Sequence, residues 1–129
     1  MSANNASRPP AVLAIDDDEN ILDIIKTCLE GEGFVVQTHN NPVRGVEWYT
    51  QRWQEVDVVL LDYIMPEMNG AAVFERLRQA NPRARVILLT ACDDHVAEKL
   101  FQEGLHGYIQ KPFYLKQLLQ QVQEAITAP

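Results

Sequence analysis

Cysteine is scarce in this chain: only Cys28 and Cys92 are present, far apart in the sequence. That spacing excludes a CxxC-type redox or metal motif and leaves two small apolar side chains suited to a reducing compartment. Long apolar runs are missing as well, none approaching the ~18–20 residues that a membrane-crossing helix needs. The N-terminal stretch, Met1 to Pro10, is polar and ends in two prolines, with no apolar core of the kind a secretory signal carries. It reads as a loose tail, residues 1–10, and the Asn5-Ala6-Ser7 sequon inside it reads as chance. Together these absences set a cytoplasmic expectation with no membrane partner. Positive charge is in deficit too, 11 Lys and Arg against 18 Asp and Glu, for a net charge of −7. No basic footprint for direct nucleic-acid binding remains. What is left, 129 residues with 47% hydrophobic, fits one domain over residues 11–128 that can bury a core without staples.

Along that domain, short apolar runs alternate with helix-periodic segments. Val12-Leu13-Ala14-Ile15 is stopped by acids and reads as a strand buried on both faces. Glu19 to Glu30 then places Ile21, Leu22, Ile24, Ile25, Cys28 and Leu29 at helical spacing, and Gly31 and Gly33 end the helix. Phe34-Val35-Val36 is a second strand, and Pro42 opens a helix carrying Val43, Val46, Trp48 and Tyr49. Val56 to Leu61 gives the strongest buried-strand signal and ends on Asp62; a loop with Pro66, Asn69 and Gly70 leads to a helix from about Ala71 to Gln79. Val86 to Leu89 ends on Thr90. Asp93 or Asp94 can cap the next helix, which stops at Gly104. Tyr108-Ile109-Gln110 ends at Lys111, and Leu115, Leu118, Leu119, Val122 and Ile126 form the stripe of a last helix. Five such units predict an α/β fold, a doubly wound five-stranded parallel sheet with helices on both faces. Ligands of such sheets bind outside the carboxyl ends of the strands.

The strand ends gather chemistry at that edge: Asp16, Asp17 and Asp18 from the first, Asp62 from the third, Thr90 from the fourth, Lys111 from the fifth. Singly, each has an ordinary reading. The acids after the first strand cap a helix, Asp62 and Thr90 close strands, Lys111 is solvated and Tyr108 is a half-buried aromatic. Co-location argues for more. Two carboxylates ~4 Å apart repel by ~4 kcal/mol at an effective dielectric of 20. A hard cation such as Mg²⁺ relieves that repulsion, and Lys111 adds a compact positive charge. A carboxylate beside such cations can accept a phosphoryl group covalently, with Thr90 donating to one of its oxygens, because phosphoryl transfer depends mainly on positioning and charge neutralisation.

On Val12 to Glu19, Leu60 to Gly70, Leu89-Thr90-Ala91 and Tyr108 to Phe113, the chain resembles the response-regulator receiver family of two-component signalling over roughly residues 11 to 127. The resemblance implies a flavodoxin-like receiver, a signalling switch rather than a turnover enzyme, phosphorylated on Asp62 by a phosphohistidine of a sensor histidine kinase or phosphotransfer protein. It implies that Asp17 binds Mg²⁺ directly, Asp16 largely through water, and that Asp62 and the backbone carbonyl of Ile64 complete the ligands. Thr90 and Lys111 would hold phosphate oxygens, with Ala91 leaving space beside them. The Lys111–Pro112 bond would be cis, and Tyr108 would turn inward as Thr90 moves. The reshaped face of the fourth helix, fifth strand and fifth helix would control a fused or separate output module, with a phosphorylation-dependent homodimer as one outcome.

The chain departs from many relatives where His106-Gly107 precede Tyr108 and where the last helix lacks arginine, which argues against a charged dimer face. Ile64 and Cys92, two positions after Asp62 and Thr90, offer no polar group to orient an attacking water, so self-dephosphorylation is expected to be slow. Competing sites fit poorly. In an EF-hand reading of Asp16-x-Asp18-x-Asn20, Ile21 stands where glycine is required and Thr27 where glutamate is. A dehalogenase-type phosphatase wants an acid at Ile64, and a flavodoxin wants a phosphate loop after the first strand. The remaining alternative is a pseudo-receiver that docks partners without phosphorylation.

Overall fold

The computed structural model describes residues 8–91 and 94–128, the side chain at 94 excepted. Most of the expected tail, Cys92, and the Asp93 and Asp94 side chains suggested as caps therefore lie outside the described residues. Five strands, β1 (Ala11–Ile15), β2 (Val35–His39), β3 (Val58–Asp62), β4 (Val86–Thr90) and β5 (Gly107–Gln110), alternate with α1 (Glu19–Glu30), α2 (Pro42–Arg52), α3 (Gly70–Ala80), α4 (Asp94–Gln102) and α5 (Leu115–Thr127). All strand pairs are parallel, in the order β2-β1-β3-β4-β5. The order reverses between β1 and β3, and this is where the sheet opens a crevice at its carboxyl edge.

Strand alternation divides the core in two. Val12 and Ala14, Val58 and Leu60, Ile87 and Leu89, and Ile109 face α1 and α5. Leu13 and Ile15, Val59 and Leu61, Val86 and Leu88 face the side covered by α2, α3 and α4. Every residue of β3 and β4 is buried, because a parallel sheet covered on both faces leaves no strand position for water. Among the described residues no helix is long and apolar enough to cross a membrane.

Local chemistry sets the boundaries. Asp18 caps α1, its carboxylate accepting from Asn20 N at 2.9 Å and Ile21 N at 3.4 Å. Asn41 caps α2 with Pro42 in the first turn, and Asn69 caps α3 by accepting from Ala72 N. Three expected boundaries shift. The second strand runs to His39 rather than Val36, because half-buried Gln37, Thr38 and His39 continue the ladder beside Leu13 to Ile15 despite their polarity. β3 begins at Val58 rather than Val56, since the carboxylate of Asp57 accepts from Ala11 N at 2.7 Å and binds the Arg8 guanidinium. At the end of α1, Gly31 stays right-handed and Gly33 takes the positive φ of 93°, so only the second glycine answers a backbone demand.

Candidate functional site

The register places the chemistry. Ile15 pairs with Leu61, so Asp16 and Asp62 are level one step further on; Thr90 pairs with Gln110, so Lys111 follows one step beyond. Asp16, Asp62 and Lys111 continue the rows of Ala14, Leu60 and Ile109 and share one side of the sheet edge. Thr90 continues the opposite row, and Tyr108, level with Leu88, lies on that same side one pleat back from Thr90.

Asp16 is 1% exposed and Asp62 6%, while Asp17 is exposed. Each of the three offers a carboxylate oxygen within 4.8 Å of the others. At that separation two unit charges repel by about 3.5 kcal/mol at an effective dielectric of 20. The Lys111 ammonium relieves part of this, donating to Asp16 Oδ2 at 2.8 Å and Asp62 Oδ1 at 3.1 Å. Asp16 Oδ1 also accepts from Asp18 N at 2.9 Å, which orients its carboxylate. Burial and then the neighbouring Asp16 charge push Asp62 up to about 6, against the pull of Lys111 and with a smaller push from Asp17. Burial works against the charged form of Lys111, yet hydrogen bonds and charge from Asp16 and Asp62 hold it above its ordinary value. Asp62 therefore stays ionised at neutral pH while being more basic than an exposed aspartate, a useful combination in a nucleophile.

The donor set of two buried carboxylates and one exposed one fits a hard divalent cation that keeps several waters. Ile64 lies two residues past Asp62 and is 61% exposed. Thr90 is fully buried at the end of β4. The Lys111–Pro112 peptide is cis.

Two supports were not anticipated from sequence. Gly70 opens α3 where a Cβ would lie 2.7 Å from Tyr63 Cα and 2.9 Å from the Asp62 carbonyl oxygen. Gly70 N also donates to the Tyr63 carbonyl, so glycine lets the helix start abut the loop after Asp62. Asn41, beyond capping α2, donates to Glu67 Oε1 at 2.9 Å and ties that loop to the neighbouring one. The turn-forming Asn69-Gly70 pair was the available sequence signal for the first; nothing local marks the second.

Residues 12–123 match the family model described as the response regulator receiver domain. Among curated relatives, the chain is 30% identical over 125 residues to the sensor kinase CckA of Brucella abortus, covering 96% of this chain and 13% of that protein. It is 32% identical over 117 residues to the DNA-binding transcriptional regulator NtrC of Escherichia coli K12, covering 90% and 24%. The chain thus spans half or less of the length of these relatives. Among solved structures, a response regulator receiver domain protein from Clostridium thermocellum matches with a TM-score of 0.86 at 31% identity, over 91% of this chain and 94% of that one. The CheX–CheY–BeF3–Mg²⁺ complex from Borrelia burgdorferi matches with a TM-score of 0.90 at 24% identity, over 97% and 95%, which speaks to the fold.

Proposed function

Because the chain belongs to the response regulator receiver domain family, we propose that it is a phosphorylation switch whose acceptor is Asp62 and whose donor is the phosphohistidine of a sensor histidine kinase or phosphotransfer protein. The observation that carries this reading is the Lys111 ammonium held between Asp16 and Asp62 on the carboxyl edge of the sheet. An Asp62 carboxylate oxygen attacks phosphorus, the P–N bond breaks, its electron pair returns to the imidazole, and that nitrogen takes up a proton. The product is an acyl phosphate on Asp62 and a free histidine.

Asp16, Asp17, Asp62 and the backbone carbonyl of Ile64 would hold Mg²⁺, which when bound supplies positive charge to the transferring oxygens. Lys111 exchanges its carboxylate partners for a phosphoryl oxygen, and the Thr90 hydroxyl donates to another. Drawing Thr90 toward the phosphoryl group opens space on its side of the sheet, where Tyr108 lies one pleat back. The phosphorylated form thus favours a state with Tyr108 turned inward and the α4–β5–α5 face reshaped for an output module or second copy. The reading places this switch in the cytoplasm.

Intact mass after incubation with acetyl phosphate and Mg²⁺ tests it. One phosphoryl adduct is expected, lost with a chelator and in Asp62→Asn. Absence of any adduct, or one that persists in the variant, would reject Asp62 as the acceptor.

A further inference from the structure

At the other end of the sheet lies a cavity of about 290 Å³. It sits beside Val58, four strand steps or ~13 Å from Asp62. It opens between α2, the turn from α3 to β4 and the last residues of α5, and Tyr49, Asp57, Asn81, Arg83 and Arg85 form its polar wall. Tyr49 is 1% exposed. Its hydroxyl oxygen accepts from Asn81 Nδ2 at 3.1 Å, which leaves the hydroxyl its own proton to donate. Asn81 Oδ1 is engaged by Arg83 N at 3.1 Å, so what its side chain still offers is a second N–H. Arg85 Nη1 donates to the carbonyls of Ala125 and Ile126, and its other donors remain. Arg83 is exposed at the rim. The one carboxylate in the wall, Asp57, is already taken by Ala11 N and the Arg8 guanidinium.

The wall thus offers a phenol proton, an amide proton and two guanidinium groups, and its one anionic acceptor is satisfied. We propose that this cavity binds a small oxyanion, an organic carboxylate or phosphate of metabolite size. Tyr49 and Asn81 hold one oxygen edge and Arg83 and Arg85 neutralise the charge. The volume is at the lower end of ligand pockets, ~300–1,000 Å³, which favours a compact ligand. Nothing in it depends on Asp62 or on a cation at the opposite edge.

Citrate and inorganic phosphate are the probes, titrated separately into the full chain in EDTA and followed by ¹H–¹⁵N correlation spectra. Saturable shifts at the Asn81, Arg83 and Arg85 amides are expected for at least one of them, and which one saturates tells a carboxylate from a phosphate ligand. Arg83→Gln, at an exposed position, should weaken binding about tenfold. Tyr49→Phe, which removes only the hydroxyl, should weaken it as well, and Asp62→Asn should leave it unchanged. Shifts that never saturate, or affinity unaltered by both Arg83→Gln and Tyr49→Phe, would overturn the site. Binding that disappears in Asp62→Asn would also overturn it, by moving the anion to the phosphoacceptor edge. Failure of the parent protein to take up a phosphoryl group from acetyl phosphate and Mg²⁺, with oxyanion binding intact, would reject only the phosphorylation reading.

Discussion

Replacing Asp62 by asparagine should make the metal-free protein more stable, by an amount that depends on pH. Asp62 rises from an ordinary 3.8 to about 6 on folding, close to two units at ~1.4 kcal/mol each, or about 3 kcal/mol. The carboxylate side chain is 8% exposed, so solvent screens little of this. Between pH 3.8 and about 6 the folded state holds more protons on Asp62 than the unfolded state does. Stability therefore falls as pH rises through that window and stays low above it. Lys111 is raised as well, so its contribution has the same sign, but it is complete below its ordinary value and fades only in strong alkali. It is constant between pH 4 and 8 and does not distort the comparison. Urea denaturation in EDTA, followed by far-ultraviolet circular dichroism, should show Asp62→Asn and the parent nearly equal near pH 3.5. At pH 7.5 the variant should lead by about 3 kcal/mol, equivalent to ~10 °C in Tm for a domain of this size. Adding Mg²⁺ should narrow the gap by stabilising the parent. A gap that is the same at both pH values, or a variant less stable than the parent at pH 7.5, would refute the electrostatic account of this edge.

The other predictions concern residues around Asp62. Lys111→Met leaves two buried carboxylates without their cation and should cost about 2 kcal/mol of stability in EDTA, partly restored by Mg²⁺, with phosphoryl adduct formation sharply reduced in the mass assay. Gly70→Ala forces a Cβ against the Tyr63 and Asp62 backbone; we expect a loss of about 2 kcal/mol in urea denaturation and weaker Mg²⁺ binding by calorimetry. Ile64→Asn places a polar, exposed group two residues from Asp62 and should shorten the acyl phosphate lifetime, read as decay of the adduct after gel filtration. An unchanged lifetime would detach residue 64 from hydrolysis.

The strands were legible because a covered parallel sheet writes them as unbroken apolar runs, and Val12 to Ile15 and Val86 to Leu89 can be read directly. Once the strands are placed, their ends place Asp16, Asp62, Thr90 and Lys111. Less was legible at the edge of the sheet. Gln37, Thr38 and His39, three of the five residues of β2, are polar, since an edge strand needs its ladder more than its hydrophobicity. The partners of a charged group were also hidden. Sequence puts Lys111 at the rim, but only the structure shows its ammonium reaching back from beyond β5 to Asp16 and Asp62 together. The polar wall of the cavity at the other end of the sheet was invisible for the same reason, its donors coming from α2 and the turn between α3 and β4.

The Asp16–Lys111 contact joins residues 95 positions apart, and Asp62, which shares the same ammonium, ends the strand β3 between them. No contiguous fragment that stops at the end of β5 contains the ammonium, and none that starts at Asp17 or later contains the Asp16 carboxylate. Closing so long a loop is entropically late, since short-range contacts form before distant ones can repay the chain order they demand. The contact of Lys111 with Asp16 and Asp62 therefore needs β1, β3, β4 and β5 all to be paired. A nascent or half-unfolded chain would hold Asp62 without the Lys111 charge beside it. On the proposed function, phosphorylation would therefore require the complete sheet, because this ion pair joins the segment after its first strand in the chain to the segment after its last.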